Sequence, residues 1–186
     1  DQRIGDFINN GSVQFRLFSD GLEINFFSGL SRQIADQASH FLEGPLDRNH
    51  SHRHRKFLEF PVWLYREDKN WIRPLDADIE RVFDAEANKL FRSGACIRWL
   101  LLDDKGKVCG RVAAFYDGRS ARKNKQPTGG MGFFECIEDQ QAAFTLFDAC
   151  KKWLQEQGME AMDGPVNFGD RNTWWGLLTD GFYEPI

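Results

Sequence analysis

The stretch GFFECIEDQQAAFTLFDACKKWLQEQGMEAMDGPVN, from Gly132 to Asn167, decides the fold that the sequence predicts. It opens with an apolar run typical of a strand and continues, over residues 139–157, with apolar residues at helical spacing. Gly158 stands where a glycine commonly ends a helix, and MEAMD is short and apolar enough for a central strand. A strand, a helix and a strand in this order predict a parallel pair joined by a right-handed crossover.

Upstream of this unit the sequence predicts an antiparallel meander. The segments ACIRWLLL (95–102) and KVCGRVAAFYDG (107–118) are typical of strands joined by a turn at DDKG, and MGFFECI (131–137) forms the third strand. Helices are predicted in RKFLEFPVWLYRE (55–67), where Pro61 marks a start or a kink, in DADIERVFDAEANKLF (76–91) and in RNTWWGLLTDGF (171–182). The predicted class is mixed α/β, and the lack of GxGxxG and GxxxxGK[ST] motifs argues against a Rossmann or P-loop fold.

The first 50 residues are assigned to a separate N-terminal segment, and residues 51–186 to one domain. Alternating apolar residues predict a hairpin over residues 12–27, and the polar EGPLDRNHSHRHR (43–55) favours a connector. Its histidines at 50, 52 and 54 would share one face of a strand and could ligate a metal ion. Because no carboxylate or cysteine completes the set nearby, a solvated linker is favoured and no metal is predicted.

Composition and charge narrow the class of protein. The chain has 186 residues, 41% of them hydrophobic and 14% aromatic, which is enough for a packed core. A net charge of −4 argues against a nucleic-acid-binding protein. The sequence shows no long apolar run and no secretion signal at its start, so we expect a cytoplasmic protein without a membrane span. Its 4 cysteines form no CxxC pair and are predicted to be buried free thiols.

The order of elements resembles that of the GCN5-related N-acetyltransferase (GNAT) superfamily, and the amino-acid sequence itself is similar to a bacterial branch of it. The matching segments are FPVWLYREDKNWIRPL (60–75), GKVCGRVAAF (106–115), the stretch 132–159 and GPVNFGDRNTWWGLL (164–178). The resemblance covers residues from about 53 to 186, and a first strand is expected near 38–47. It implies an acyl-CoA-dependent N-acyltransferase, using acetyl-CoA as acyl donor and a small-molecule or peptide amine as acceptor.

The resemblance also implies where the acyl donor lies. In such transferases the third meander strand diverges from the next parallel strand, the donor lies between them, and its pyrophosphate contacts amides at the following helix. Carried over, the donor-binding residues are Phe134, Cys136, Ile137, Glu138, Asp139, Gln140, Gln141 and Asn167. A helix N-terminus favours phosphate, and the two glutamines add neutral donors. The usual R/Q-x-x-G-x-G/A loop is absent, however, and Glu138 and Asp139 would repel a phosphate.

Three residues are candidates for catalysis. Glu135 on the diverging strand is the first candidate base, because burial there would raise its pKa; the alternative is a carboxylate exposed to solvent or paired with Arg111. Tyr116 and Tyr183 are candidate acids for the leaving thiolate, with half-buried packing residues as the alternative. Asn167 could equally be a turn residue, and a core thiol is favoured over a nucleophile for Cys136 because no histidine lies in the matched region.

A non-catalytic binding or scaffold module with the same fold is the alternative function. The acidic turn and the missing loop motif favour it. The superfamily's sheet is normally completed by further strands after the last helix, whereas this sequence ends at GFYEPI. Either the polypeptide is truncated, or the missing strands come from another chain or from residues 12–27. An incomplete sheet would leave an exposed edge, which favours pairing with a second copy of the chain or another partner.

Overall fold

The computed structural model describes residues 40–44, 51–123 and 125–169. The predicted hairpin over 12–27 and the predicted last helix over 171–182 lie outside these residues. The strands are β1 (Phe41–Glu43), β2 (Gly94–Leu102), β3 (Val108–Asp117), β4 (Thr128–Cys136) and β5 (Ala161–Asp163). The α-helices are α1 (Ser51–Leu64), α2 (Asp76–Val82), α3 (Gly118–Ala121) and α4 (Gln140–Glu156), and a 3-10 turn covers Lys89–Arg92.

The five described strands form one mixed sheet in the order β1-β2-β3-β4-β5. The pairs from β1 to β4 are antiparallel, and β4 pairs with β5 in parallel. This confirms the predicted fold class, the meander and the parallel crossover through α4. The first strand expected near 38–47 is confirmed as β1, so the sheet takes a strand from upstream of the predicted domain boundary at residue 51.

Helix α4 covers one face of the sheet because its apolar residues recur at helical spacing. Its buried residues are Ala142, Leu146, Phe147, Cys150 and Leu154. They pack with side chains of alternate strand positions, among them Leu101, Val112 and Met131. Burial of each large side chain contributes roughly 1.5–3 kcal/mol. This core fixes the position of α4, and therefore of its N-terminus, relative to β4.

Helices α1 and α2 supply apolar residues to the opposite face. Phe57 of α1 is fully buried with Leu100 of β2, and Phe83 and Phe133 pack around them. Helix α1 runs through Pro61 from Ser51 to Leu64, so of the two predicted effects of this proline, a helix start or a kink, the start is wrong. Proline is tolerated here because the carbonyl that it leaves without a helical partner, that of Phe57, accepts a hydrogen bond from Arg111 instead.

The predicted connector over residues 43–55 is wrong from residue 51 onward, where α1 begins. Side chains at positions i and i+2 point about 200° apart on a helix, so His52 and His54 do not share a face. His54 instead contacts Arg98, with 3.0 Å between its Nε2 atom and Nη2 of the arginine. No described helix has the length and apolar character needed to cross a bilayer.

Candidate active site

Strands β4 and β5 pair over only three residues, because β5 ends at Asp163 while β4 continues to Cys136. Their paired residues run from Thr128 with Ala161 to Gly130 with Asp163. One further hydrogen bond follows, in which Val166 N–H donates to the carbonyl of Met131 at 2.8 Å. Strand β4 continues to Cys136 without a paired residue on that side among the described residues. We call the space between this unpaired edge of β4 and the segment after β5 the gap; it lies at the sheet position where the resemblance places an acyl donor.

A β-bulge lies where β4 loses its pairing with the segment after β5. Arg111 of β3 is opposite Glu135 and Ala113 is opposite Gly132, so one residue of β3 faces two residues of β4. The extra residue places Phe133 at φ 51°, in the left-handed region that phenylalanine rarely adopts. A bulge bends its strand and increases the local twist, which turns the end of β4 away from β5.

The N-terminus of α4 lies directly after the diverging half of β4. Asp139 is the N-cap residue, and its carboxylate accepts the N–H of Ala142 at 2.7 Å. The N–H groups of Gln140 and Gln141 have no hydrogen-bond partner among the described residues. Glu138 is exposed beside them. The end of the helix therefore presents two free amides, but a carboxylate already occupies the third.

Asn167 carries an unsatisfied amide beside the same gap. It follows Val166, which is bonded to β4, and its Oδ1 and Nδ2 atoms are both buried without a hydrogen-bond partner among the described residues. A buried amide without partners typically costs about 1–3 kcal/mol, so such groups are rare in folded proteins. The donor and the acceptor of this side chain are therefore unused among the described residues, and its role in binding the acyl donor stays a prediction.

Glu135 is paired with a buried arginine. Arg111 is only 3% exposed; its Nε donates to Glu135 Oε2 at 2.6 Å and its Nη2 donates to Oε1 at 3.2 Å. Its Nη1 donates to the carbonyl of Phe57. The structure thus places Glu135 in the ion pair that was the alternative to a free base, and accepting a proton would require weakening a bond to Arg111.

A small cavity adjoins this ion pair. It has a volume of about 30 Å³, and its lining includes Trp71, Arg73, Asp76, Arg111 and Glu135. A volume of that size holds one or two water molecules.

Tyr65 stands beside this cavity at the end of α1. Its ring stacks on Trp71 with 5.3 Å between the ring centroids. Burial raises the pKa of Tyr65, and the negative charge of Glu135 raises it further. The sequence analysis did not identify Tyr65 or the bond from Arg111 to α1. Pro61 was the available signal for that bond, because a proline within a helix leaves one carbonyl free to accept from elsewhere.

The remaining predicted residues are spread over several places. Tyr116 packs on Trp153 of α4, on the opposite face of the sheet from the Glu135 ion pair, and Tyr183 lies outside the described residues. Phe134 stacks on Phe147 with 4.6 Å between ring centroids, and Cys136 packs against the same core. Ile137 donates its N–H to the carbonyl of Cys109 at 2.9 Å. The side chains of Phe134 and Cys136 therefore pack in the core, and the N–H of Ile137 is already bonded to β3.

The four thiols should be unreactive in the folded protein. All are reduced, and burial raises the pKa of Cys136 to about 12 and that of Cys109 to about 11. Since the thiolate is the reactive form, labelling by iodoacetamide at about pH 8 should be at least roughly a hundredfold slower than for a free thiol. Mass spectrometry of each cysteine peptide, with urea-unfolded protein as the control, measures this. Rapid labelling of folded Cys136 would contradict its assignment as a core residue.

Two curated bacterial proteins are similar in sequence. Protein YghO of Escherichia coli is 32% identical over 131 residues, covering 70% of this chain and 33% of its own length. The bacterial ceramide synthase of Caulobacter vibrioides is 33% identical over 136 residues, covering 70% of this chain and 34% of its own length. The chain thus spans about a third of the length of these relatives. No family model matches the chain.

Two solved structures share part of the architecture. A GNAT-family acetyltransferase from Staphylococcus aureus aligns with a TM-score of 0.45 and 12% identity, covering 67% of this chain and 71% of that one. A GCN5-related glucosamine N-acetyltransferase region of a fungal multi-domain beta-N-acetylglucosaminidase aligns with a TM-score of 0.44 and 18% identity. The alignment covers 69% of this chain and 14% of that one. By its own topology, an antiparallel meander whose last strand pairs in parallel with the strand that follows a helical crossover, the described part of the chain has a GNAT-like fold.

Proposed function

We propose that this chain carries the donor site of an acyl-CoA-dependent N-acyltransferase. The observation that carries the proposal is the gap between β4 and the segment after β5, with the unsatisfied amide of Asn167 beside it. In a folded protein a buried amide without partners calls for an explanation, and a polar ligand in the gap would supply both missing hydrogen bonds. The GNAT-like topology supports the class of reaction.

The polar groups beside the gap suit the amide-containing arm of coenzyme A better than its pyrophosphate. Asn167 and the backbone of the diverging half of β4 offer hydrogen bonds suited to the amide-containing arm of coenzyme A. The free N–H groups of Gln140 and Gln141 suit a phosphate oxygen. Asp139 and the exposed Glu138 oppose phosphate by their charge, so we expect the pyrophosphate to contribute less affinity than the arm.

The reaction requires a neutral amine and a path for its proton. The amine nitrogen forms a bond to the acyl carbon, the carbon–sulfur bond breaks, the amine loses one proton and the leaving sulfur gains one. Glu135 lines the cavity and is proposed to accept the amine's proton, with Arg111 fixing the direction of the carboxylate. Tyr65, whose ring stacks on the cavity-lining Trp71, offers a hydroxyl in this region, while Tyr116 lies on the other face of the sheet.

The acceptor is proposed to be a primary amine with a long hydrocarbon chain. The support is the name of one relative, a ceramide synthase, because a ceramide is the amide of a fatty acid and a long-chain amino alcohol. By the same argument the donor would carry a fatty acyl group in place of the acetyl group that the fold alone suggests. The exposed Ile72 and Leu75, next to cavity-lining Trp71 and Pro74, offer an apolar approach for such a chain.

A non-catalytic module with the same fold is the second candidate function. The observation that favours it is the N-cap of α4, where Asp139 already occupies an amide that a phosphate would use. A module of this kind would bind no acyl-CoA and form no amide.

Thermal shift and product analysis test the proposal together. Acetyl-CoA or palmitoyl-CoA at roughly a hundred times its Kd should stabilise the protein by about 2.7 kcal/mol. Incubation with palmitoyl-CoA and sphinganine should yield the N-acyl product by mass spectrometry. Absence of both a shift and a product would favour the non-catalytic module.

Asn167→Ala should separate binding from stability. Loss of its hydrogen bonds should weaken donor binding roughly threefold to tenfold, while removal of an unsatisfied amide should leave the ligand-free melting temperature unchanged or higher. Titration calorimetry and thermal unfolding measure the two effects. Asn70→Ala, at an exposed position of the connector between α1 and α2, is the matched control and should change neither. A lower melting temperature with unchanged affinity would assign Asn167 a structural role.

A further inference from the structure

We propose that Arg111 is a positioning residue that holds the diverging half of β4 against helix α1 and thereby keeps the gap between β4 and β5 open. The inference deepens the proposed function, on which it depends only for the identity of the ligand in the gap. It rests on three observations: the hydrogen bonds that Arg111 donates to both Glu135 and Phe57, the position of Pro61 within α1, and the positive φ of Phe133 in the bulge.

The end of β4 needs support because it has a paired strand on one side only. Beyond Met131 no residue of the segment after β5 pairs with it among the described residues. At the same place Phe133 adopts φ 51°, a conformation that persists only where surrounding contacts impose it. Without such contacts, we expect β4 to relax toward a regular strand and to close on β5.

Arg111 connects the three parts that must be kept together. It belongs to β3, its Nε and Nη2 hold both oxygens of Glu135 on β4, and its Nη1 holds the carbonyl of Phe57 on α1. The guanidinium also lies over the ring of Phe57, at 4.7 Å from the centroid, and near the ring of Phe133, at 5.9 Å. One side chain therefore spans β3, β4 and α1 directly beside the bulge.

Pro61 makes this arrangement available. In a regular helix the carbonyl of Phe57 would accept the N–H of residue 61, but proline has no N–H to donate. The carbonyl is free to accept from Arg111, and the ring of Phe57 packs on Phe83 and Phe133 at centroid distances of 5.8 and 6.2 Å. A feature of the sequence that weakens a helix thus supplies the third acceptor that a buried arginine needs.

Hydrogen–deuterium exchange on the whole protein tests the proposal without requiring any ligand. In Arg111→Lys, which keeps the charge but loses the three-way geometry, amides of the peptide 132–137 should exchange about tenfold faster or more. Peptides from β2 should be unchanged. Pro61→Ala, which restores the competing N–H, should act in the same direction without unfolding the helix. Arg55→Lys, at an exposed arginine on α1 that pairs with Glu59, is the matched control and should have no effect.

Acyl-CoA affinity in the same variants provides the second readout. Arg111→Lys and Pro61→Ala should raise the Kd for the donor severalfold, whereas Arg55→Lys should leave it unchanged. Unchanged exchange at 132–137 in both test variants, or an equal increase across the whole protein, would overturn the positioning role. If exchange changes locally but the wild-type protein binds no acyl-CoA, the positioning role stands and the proposed function fails.

Discussion

Replacing Arg111 by methionine should lower the free energy of unfolding by about 3–5 kcal/mol. The expected loss is large because the change leaves a carboxylate and a carbonyl without their partner in a nearly dry environment. Arg111 is 3% exposed and Glu135 retains 18% exposure of its side chain, so the lower end of that range is expected. The loss of stability would come from leaving the charge of Glu135 without a partner, and not from the net contribution of the ion pair, which is typically small.

A double variant separates these two contributions. Arg111→Met combined with Glu135→Leu removes both charges, so no buried charge is left without a partner. The carbonyl of Phe57 remains unsatisfied, at a cost of about 1 kcal/mol or more. Urea unfolding of the two single variants and the double variant measures the cycle, and the double variant should be more stable than Arg111→Met alone. Additive losses would show that the ion pair is not the cause.

Much of the fold follows from local patterns. The helix predicted over 139–157 is observed as Gln140–Glu156, because its apolar spacing and its ends at Asp139 and Gly158 are encoded within a few residues. The meander strands were predictable for the same reason: each alternates between two buried faces of a sheet. Here local preference and tertiary packing agree, so the prediction needs no knowledge of distant residues.

The site was less predictable because tertiary contacts there override local preference. Phenylalanine gives no signal for a positive φ, yet Phe133 adopts one where Arg111 and Phe57 pack around it. Pro61 predicts a helix start or a kink, and α1 passes through it because Arg111, a residue far along the chain, donates to the carbonyl that the proline leaves free. The pairing of Arg111 with Glu135 was foreseen only as one of two alternatives, since strand register does not follow from either strand alone.

The backbone of Val166 approaches Gly132 so closely that replacing this glycine should have the second large effect on stability. A Cβ atom at this position would lie 2.0 Å from the carbonyl oxygen of Val166, a backbone atom that cannot rotate away. The same segment is bonded to β4 through Val166 N–H and the Met131 carbonyl at 2.8 Å. Any side chain at 132 must therefore push the segment after β5 away from β4 and break that hydrogen bond.

Gly132→Ala should consequently lower the free energy of unfolding by about 1–3 kcal/mol through overpacking, with a further loss of about 1 kcal/mol for the broken hydrogen bond. Donor binding should weaken as well, because Asn167 directly follows the displaced Val166. Chemical denaturation and calorimetry with acetyl-CoA measure the two effects. Gly169→Ala is the matched control, since among the described residues the nearest atom to its Cβ would be Asn167 Nδ2 at 3.9 Å, and its stability should be close to wild type. If Gly132→Ala unfolds at the same denaturant concentration as the wild type, β4 and the segment after β5 do not approach each other at Gly132 and Val166 as closely as the structure shows.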